Sequence, residues 1–206
     1  QTSAVVNVND APVLGGNRTI HYPDFSDTTG LIFEGRAAQY GDVLRVHDFT
    51  TNSTGEVWCV QEQQVSQGFE TEFKFQVGNE TSNGGADAIS FELRKTTPDS
   101  TYLRFVVDTY DNGPQDPNNW HIEVKEESPN GELPKIAEVS LPGMKDNDVH
   151  AIRIAYSAET QSLGVFFDNQ QIVDLQNDSR LAEYFEGHSD GLAKIGFTAG
   201  SGAIPE

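Results

Sequence analysis

From Ile20 onward, apolar and polar side chains alternate with a period of two along much of the chain. The clearest run covers 69–77, where Phe69, Thr71, Phe73, Phe75 and Val77 alternate with Glu70, Glu72, Lys74 and Gln76. Successive side chains of a strand point to opposite faces, so this run predicts a strand with one face buried and one in water. The pattern returns at Ile89, Phe91 and Leu93, with Ser90, Glu92 and Arg94 between and after them, and at Leu103, Phe105 and Val107. It returns again at Ile152, Ile154 and Tyr156, at Leu163, Val165 and Phe167, and at Ile195, Phe197 and Ala199. Turn chemistry falls between the runs: Asn83-Gly84-Gly85, Asp111-Asn112-Gly113-Pro114, Asn130-Gly131 and Asp168-Asn169. One short helix is predicted over 179–185, with Asp178 or Ser179 as its cap and Gly187 as its stop. Strands in series with no helices between them indicate an all-β fold, an antiparallel β-sandwich.

Composition narrows the function classes. The 206 residues suit one sizeable β domain, and 12 Phe in a chain only 36% hydrophobic point to an aromatic core between two sheets. A net charge of −19 leaves no basic footprint for nucleic acid and no attraction to an anionic membrane. Most of those carboxylates serve solubility, and a few are available as hard oxygen ligands for Ca²⁺. The lone Cys59, in the apolar run Val57-Trp58-Cys59-Val60, excludes an intrachain disulfide and reads as a buried, inert thiol. No run approaches the ~18 apolar residues of a membrane span, so no membrane insertion is expected.

The chemistry concentrates in residues 107–122. There Val107-Asp108-Thr109-Tyr110-Asp111-Asn112-Gly113-Pro114-Gln115-Asp116-Pro117 leads through Asn118-Asn119-Trp120 to His121-Ile122. A loop of this kind can wrap carboxylates, an amide oxygen and a backbone carbonyl around one Ca²⁺. By spacing alone an acidic hairpin without metal fits equally well.

This segment resembles the metal loop of the L-type (legume-type) lectin family, through Asp108, Thr109, Asn112, Asp116, Pro117, His121 and Ile122 in order. Other stretches resemble the same family: Gly30-Leu31-Ile32-Phe33-Glu34-Gly35 with Val43-Leu44-Arg45-Val46, then Gly85-Ala86-Asp87-Ala88-Ile89-Ser90-Phe91. His150-Ala151-Ile152-Arg153-Ile154-Ala155-Tyr156 and residues 195–202 complete the series. The resemblance implies a concanavalin A-like jelly roll over 15–206. It also implies a Ca²⁺ ion held by Asp108, Tyr110 through its carbonyl, Asn112 and Asp116. Plant members hold a second metal through a Glu whose place is taken here by Val106. Asp108, Asp116 and His121 remain, and a weakened second site, none, or a second Ca²⁺ all stay open.

The function implied is glycan binding. Asp87 would accept hydrogen bonds from two sugar hydroxyls, Asn112 would donate from an amide fixed by the metal, and Tyr110 would offer its ring. Gly200, Ser201 and Gly202 would form the rim, and a cis peptide between Ala86 and Asp87 is implied with them. The sequence departs from the family at Ala88, in place of Gly, and at Arg94-Lys95-Thr96-Thr97-Pro98-Asp99-Ser100, in place of a Gly-rich loop. Trp120 reads either as a sugar-stacking ring or as a packed core residue. Two rivals remain: a structural or protein-binding module, and a glycoside hydrolase. The hydrolase is disfavoured because the E-x-D-x-x-E strand motif is absent. The segment Val8-Asn9-Asp10-Ala11-Pro12 resembles the end of a cadherin-like repeat, so residues 1–14 are expected to be a flexible or edge-packed tail joining flanking adhesin modules. The expectation is therefore a piece of a bacterial cell-surface adhesin, extracellular, with glycans or polysaccharide as partners.

Overall fold

The computed structural model describes residues 4–8, 20–48, 50–77, 88–95, 101–110, 117, 120–128, 131–141, 148–186 and 191–202, with backbone alone at 4–8, 132 and 133. In chain order the elements are β1 (Ala4–Val8), β2 (Leu31–Gly35), β3 (Ala38–Tyr40), β4 (Val43–His47), β5 (Ser53–Cys59) and β6 (Gln63–Gln64). There follow β7 (Phe69–Gln76), β8 (Ala88–Lys95), β9 (Tyr102–Asp108), β10 (His121–Ser128) and β11 (Gly131–Ser140). The last are β12 (His150–Ser157), β13 (Ser162–Phe167), β14 (Gln170–Leu175), α1 (Ser179–Glu186) and β15 (Leu192–Ser201). Two antiparallel sheets result. One runs β14-β13-β12-β7-β1-β4-β3, and the other β11-β10-β9-β8-β15-β5-β2 with β6 against β15.

The two sheets meet through phenylalanines. Phe73 of β7 packs edge-on against Phe197 of β15 with ring centres 5.0 Å apart, and Phe91 of β8 lies 5.5 Å from Phe197. Such offset and edge contacts are the arrangement that aromatic quadrupoles favour. Val165, Ile154, Leu163, Leu93 and Leu103 are buried around this seam. Helix α1 closes one side. Asp178 caps it, accepting from the Arg180 N–H at 2.9 Å, and Leu181, Tyr184 and Phe185 are buried beneath it. The Tyr184 hydroxyl donates to the Leu93 carbonyl at 2.8 Å.

Residues 69–77 form β7 almost as the alternation predicts, and Asp168-Asn169 form the tight turn expected between strands. Both have positive φ (47° and 67°), and Phe167 pairs with Gln170 across them. Two expectations need correction. The segment Ala4–Val8 is not edge-packed: it lies between β7 and β4, pairing Val8 with Phe73 and Val6 with Leu44. Its β-branched residues suit a strand, and the facing edges of β7 and β4 offer it backbone partners. The outward face of the larger sheet is also not simply wet, since Ser90, Glu92, His121 and Glu123 are all buried there. Among the described residues no helix is long and apolar enough to cross a membrane.

Candidate binding site and metal centre

Strand register brings distant residues into one row at the end of the larger sheet. His121 pairs with Asp108, Asp108 with Ala88, Ala88 with Gly200, and Gly200 with Thr54. With strands about 4.8 Å apart, the step from His121 to Gly200 spans about 14 Å. Ala88 directly follows Asp87 in the chain, and Ser201 and Gly202 follow Gly200. Residues called from separate motifs therefore converge on one edge of the fold.

The local geometry of that edge is set by short-range bonds. Asp108 ends β9, and its Oδ1 accepts from the Tyr110 N–H at 2.9 Å, an Asx turn that bends the chain off the sheet. Thr109 is buried and Tyr110 half-buried. The Ser201 hydroxyl donates to the Thr50 carbonyl at 2.7 Å, and the Gly202 carbonyl accepts from the Asn52 N–H at 3.3 Å. These bonds tie the rim to the turn before β5. Asp87, Asn112, Asp116, the Ala86–Asp87 peptide and the segment 96–100 lie outside the described residues. The donors present, the Asp108 carboxylate and the Tyr110 carbonyl, are hard oxygens of the kind Ca²⁺ takes.

Beside this row lies a second cluster. Glu123 stands opposite Val106 on one side and Glu138 on the other. His121 Nε2 is 3.3 Å from Glu123 Oε1 and 3.8 Å from Glu138 Oε1. One ligand atom from each of these three residues can be chosen so that all lie within 4.8 Å of one another. The Lys135 ammonium contacts Oε1 of both glutamates, and Lys125 Nζ is 3.2 Å from Glu123 Oε2. Burial pushes the Glu123 carboxyl up, but the Lys135 hydrogen bond and the charges of both lysines outweigh it and hold it below the ordinary glutamate range. Val106 is buried and offers no ligand.

A cavity of about 770 Å³ extends from Ala88 and Gly200 along the open face of the larger sheet to Arg94 and Tyr102. An ionic ladder forms its floor. Arg104 Nε lies 2.8 Å from Glu92 Oε1 and its Nη1 2.5 Å from Glu127 Oε2, while Thr198 donates to Glu92 at 2.6 Å. Burial raises the Glu92 carboxyl, opposed by the Arg104 charge and the Thr198 bond. Arg94 sits 4.2 Å from the ring centres of both Trp58 and Tyr102. A Cβ on Gly196 would come within 2.4 Å of the Trp58 ring and 2.5 Å of the Val57 carbonyl oxygen, so this strand position requires glycine.

Sequence reasoning missed Glu92, Arg104, Glu123, Glu138 and Lys135. Glu92, Arg104 and Glu123 belong to period-two charge on β8, β9 and β10, which reads as a solvated face until register pairs opposite charges across strands, while Lys135 and Glu138 lie on β11, whose alternation a bulge interrupts. Trp120 is packed in the core rather than displayed. Cys59 is half-buried, and burial pushes its thiol up to about 11, so it is protonated and unreactive at neutral pH.

No family model and no curated protein matches the chain. Solved structures do. The winged bean acidic lectin complexed with methyl-α-D-galactose matches with a TM-score of 0.74 over 92% of each chain, at 18% identity. The Bauhinia forficata lectin in complex with GalNAc gives 0.70 over 91% of this chain and 92% of that one, at 16% identity. Lectin II from Ulex europaeus gives 0.69 over 95% and 92%, at 21% identity. All three are named as lectins rather than hydrolases. The likeness establishes the legume-lectin, concanavalin A-like sandwich as the fold of this chain, and at such identities it speaks of fold alone.

Proposed function

We propose that the domain binds glycans without catalysis, in a Ca²⁺-dependent manner, at the sheet end that carries Asp108, Ala88 and Gly200. The observation behind this reading is the register row itself, which gathers three separately recognised motifs at one edge of a lectin fold. Asp108, the Tyr110 carbonyl, Asn112 and Asp116 would hold the ion, which supplies a fixed positive centre that orients its ligands. Asp87 accepts from paired sugar hydroxyls, a charge-assisted bond of the stronger kind. The Asn112 amide would give its oxygen to the ion and its NH₂ to the sugar. Tyr110 offers a ring, and Gly200, Ser201 and Gly202 bound the rim. Complexes of similar folds with a galactoside and with GalNAc support a neutral sugar as ligand.

The wider setting is part of the proposal: a module of a bacterial surface adhesin, outside the cell, flanked by further adhesin modules. Its support is the motif Val8-Asn9-Asp10-Ala11-Pro12. Glycan-array binding in millimolar Ca²⁺ and in EDTA, with Asp87→Ala alongside, tests the site. Hits lost under both perturbations support it. Hits that survive both refute the Ca²⁺-dependent site, and no hits in either condition leave a structural or protein-binding module.

A further inference from the structure

Two glutamates and a histidine on the open face of β10 and β11 point their ligand atoms at a common volume. Glu123 is only 3% exposed and His121 is fully buried. Carboxylates this close repel, and burial sharpens the repulsion, so the arrangement needs a cation. The Lys135 ammonium supplies it, bonded to Oε1 of both Glu123 and Glu138.

Lys135 reaches that position through a β-bulge. Val124 pairs with Ala137, yet the next residue, Lys125, pairs with Lys135, leaving Ile136 as the extra residue. In an unbroken ladder Lys135 would share the face of Ala137 and point into the core. The bulge turns it to the face of Glu123 and Glu138. Its backbone is fastened there, because Arg180 of α1 donates to the carbonyls of Lys135 at 3.1 Å and Ile136 at 3.2 Å. Asp178 clamps Arg180 in turn, at 2.6 Å from Nη2.

We propose that Lys135 is the resident cation of this cluster, and that it keeps a divalent metal out of a His121–Glu123–Glu138 site that would otherwise take one. An imidazole with two carboxylates is a donor set for Zn²⁺, Co²⁺ or Mn²⁺. An ammonium lies where that ion would bind. Replacing it with an apolar side chain of similar length leaves the donors in place and removes the cation that bridges both carboxylates, with Lys125 still 3.2 Å from Glu123 Oε2. The inference concerns the protein's own side chains and stands whether or not the neighbouring row binds sugar.

The test is titration with Co²⁺, read by its d–d absorption and by calorimetry, in Ca²⁺-saturated buffer. Three proteins are compared: wild type, Lys135→Met, and Lys135→Met combined with His121→Ala. We expect Lys135→Met to take up one Co²⁺ on the order of 100-fold more tightly than wild type, and the double variant to lose it. Wild type binding Co²⁺ through His121 as tightly as Lys135→Met would overturn the proposal, as would a folded Lys135→Met with no gain. Should Lys135→Met fail to fold, the wild type itself decides. A ¹H–¹⁵N spectrum of its lysine ammonium groups should contain a slowly exchanging signal that is missing in Lys135→Arg, and the absence of that signal contradicts the inference.

Discussion

The end-of-sheet row and the β10–β11 cluster are neighbours, joined at His121, yet they are built in opposite ways. In the row, strand ends deliver Asp108, Ala88 and Gly200 to one edge, and the other residues of the proposed site adjoin those strand ends in the chain. In the cluster, Glu123, Lys135 and Glu138 lie within strands, and cross-strand register makes the site. A site fed by loops depends on an added ion to hold its donors. A site built within strands can carry its own cation. The contrast implies that removing metal disturbs the row and spares the cluster, while removing Lys135 does the reverse.

The largest expected effect follows from cutting the row. Asp108→Ala should lower glycan affinity by on the order of 100-fold or more, about 3 kcal/mol, with the folded structure kept, as read by calorimetry alongside circular dichroism. Next comes Lys135→Met. Breaking a buried ion pair costs several kcal/mol, but Lys135 is 36% exposed and Lys125 still faces Glu123. Solvent screening therefore reduces the expected loss to about 1–2 kcal/mol, measured by urea unfolding, with glycan affinity unchanged.

That loss should depend on pH. Glu123 is held below the ordinary glutamate range, so its ionised form adds stability that is complete above the unfolded carboxylate pKa and lost as pH falls through the folded value. The stability gap between wild type and Lys135→Met should be steady from pH 7 to about 4.5 and close at lower pH, since ordinary glutamate titrates near 4.3. A gap that widens on acidification would rule this cause out. The smallest effect is expected at the anchor. Asp178→Ala removes the cap of α1 and frees Arg180 from its clamp, for about 1 kcal/mol. Amide exchange should then quicken in β11 near Lys135 and stay unchanged in β15.

How much of this was legible in the sequence follows the same division. Strands with a clean period of two, such as β7 and β12, could be read directly because one face is core. Strand β11 could not: Pro134 and the bulge at Ile136 break its alternation, and both are tolerated because the strand lies at the sheet edge. A similar register shift at Val165 and Phe166 hides β14. The row was visible because its residues sit in local motifs, each a few positions long. Glu123 and Glu138 lie 15 positions apart and meet only through pairing, so nothing local announces them. The N-terminal segment was misplaced for a related reason, since its motif carries no information about which strands leave a gap for it.

The central claim, a Ca²⁺-dependent glycan site on the row, is tested most directly by calorimetric titration of an array-selected glycan into the Ca²⁺-loaded domain, into the same domain after EDTA, and after Ca²⁺ is restored. The account predicts binding that is lost with EDTA and recovered in full on adding Ca²⁺, and that is absent throughout in Asp108→Ala. Equal affinity in all three states, or in Asp108→Ala, would contradict it.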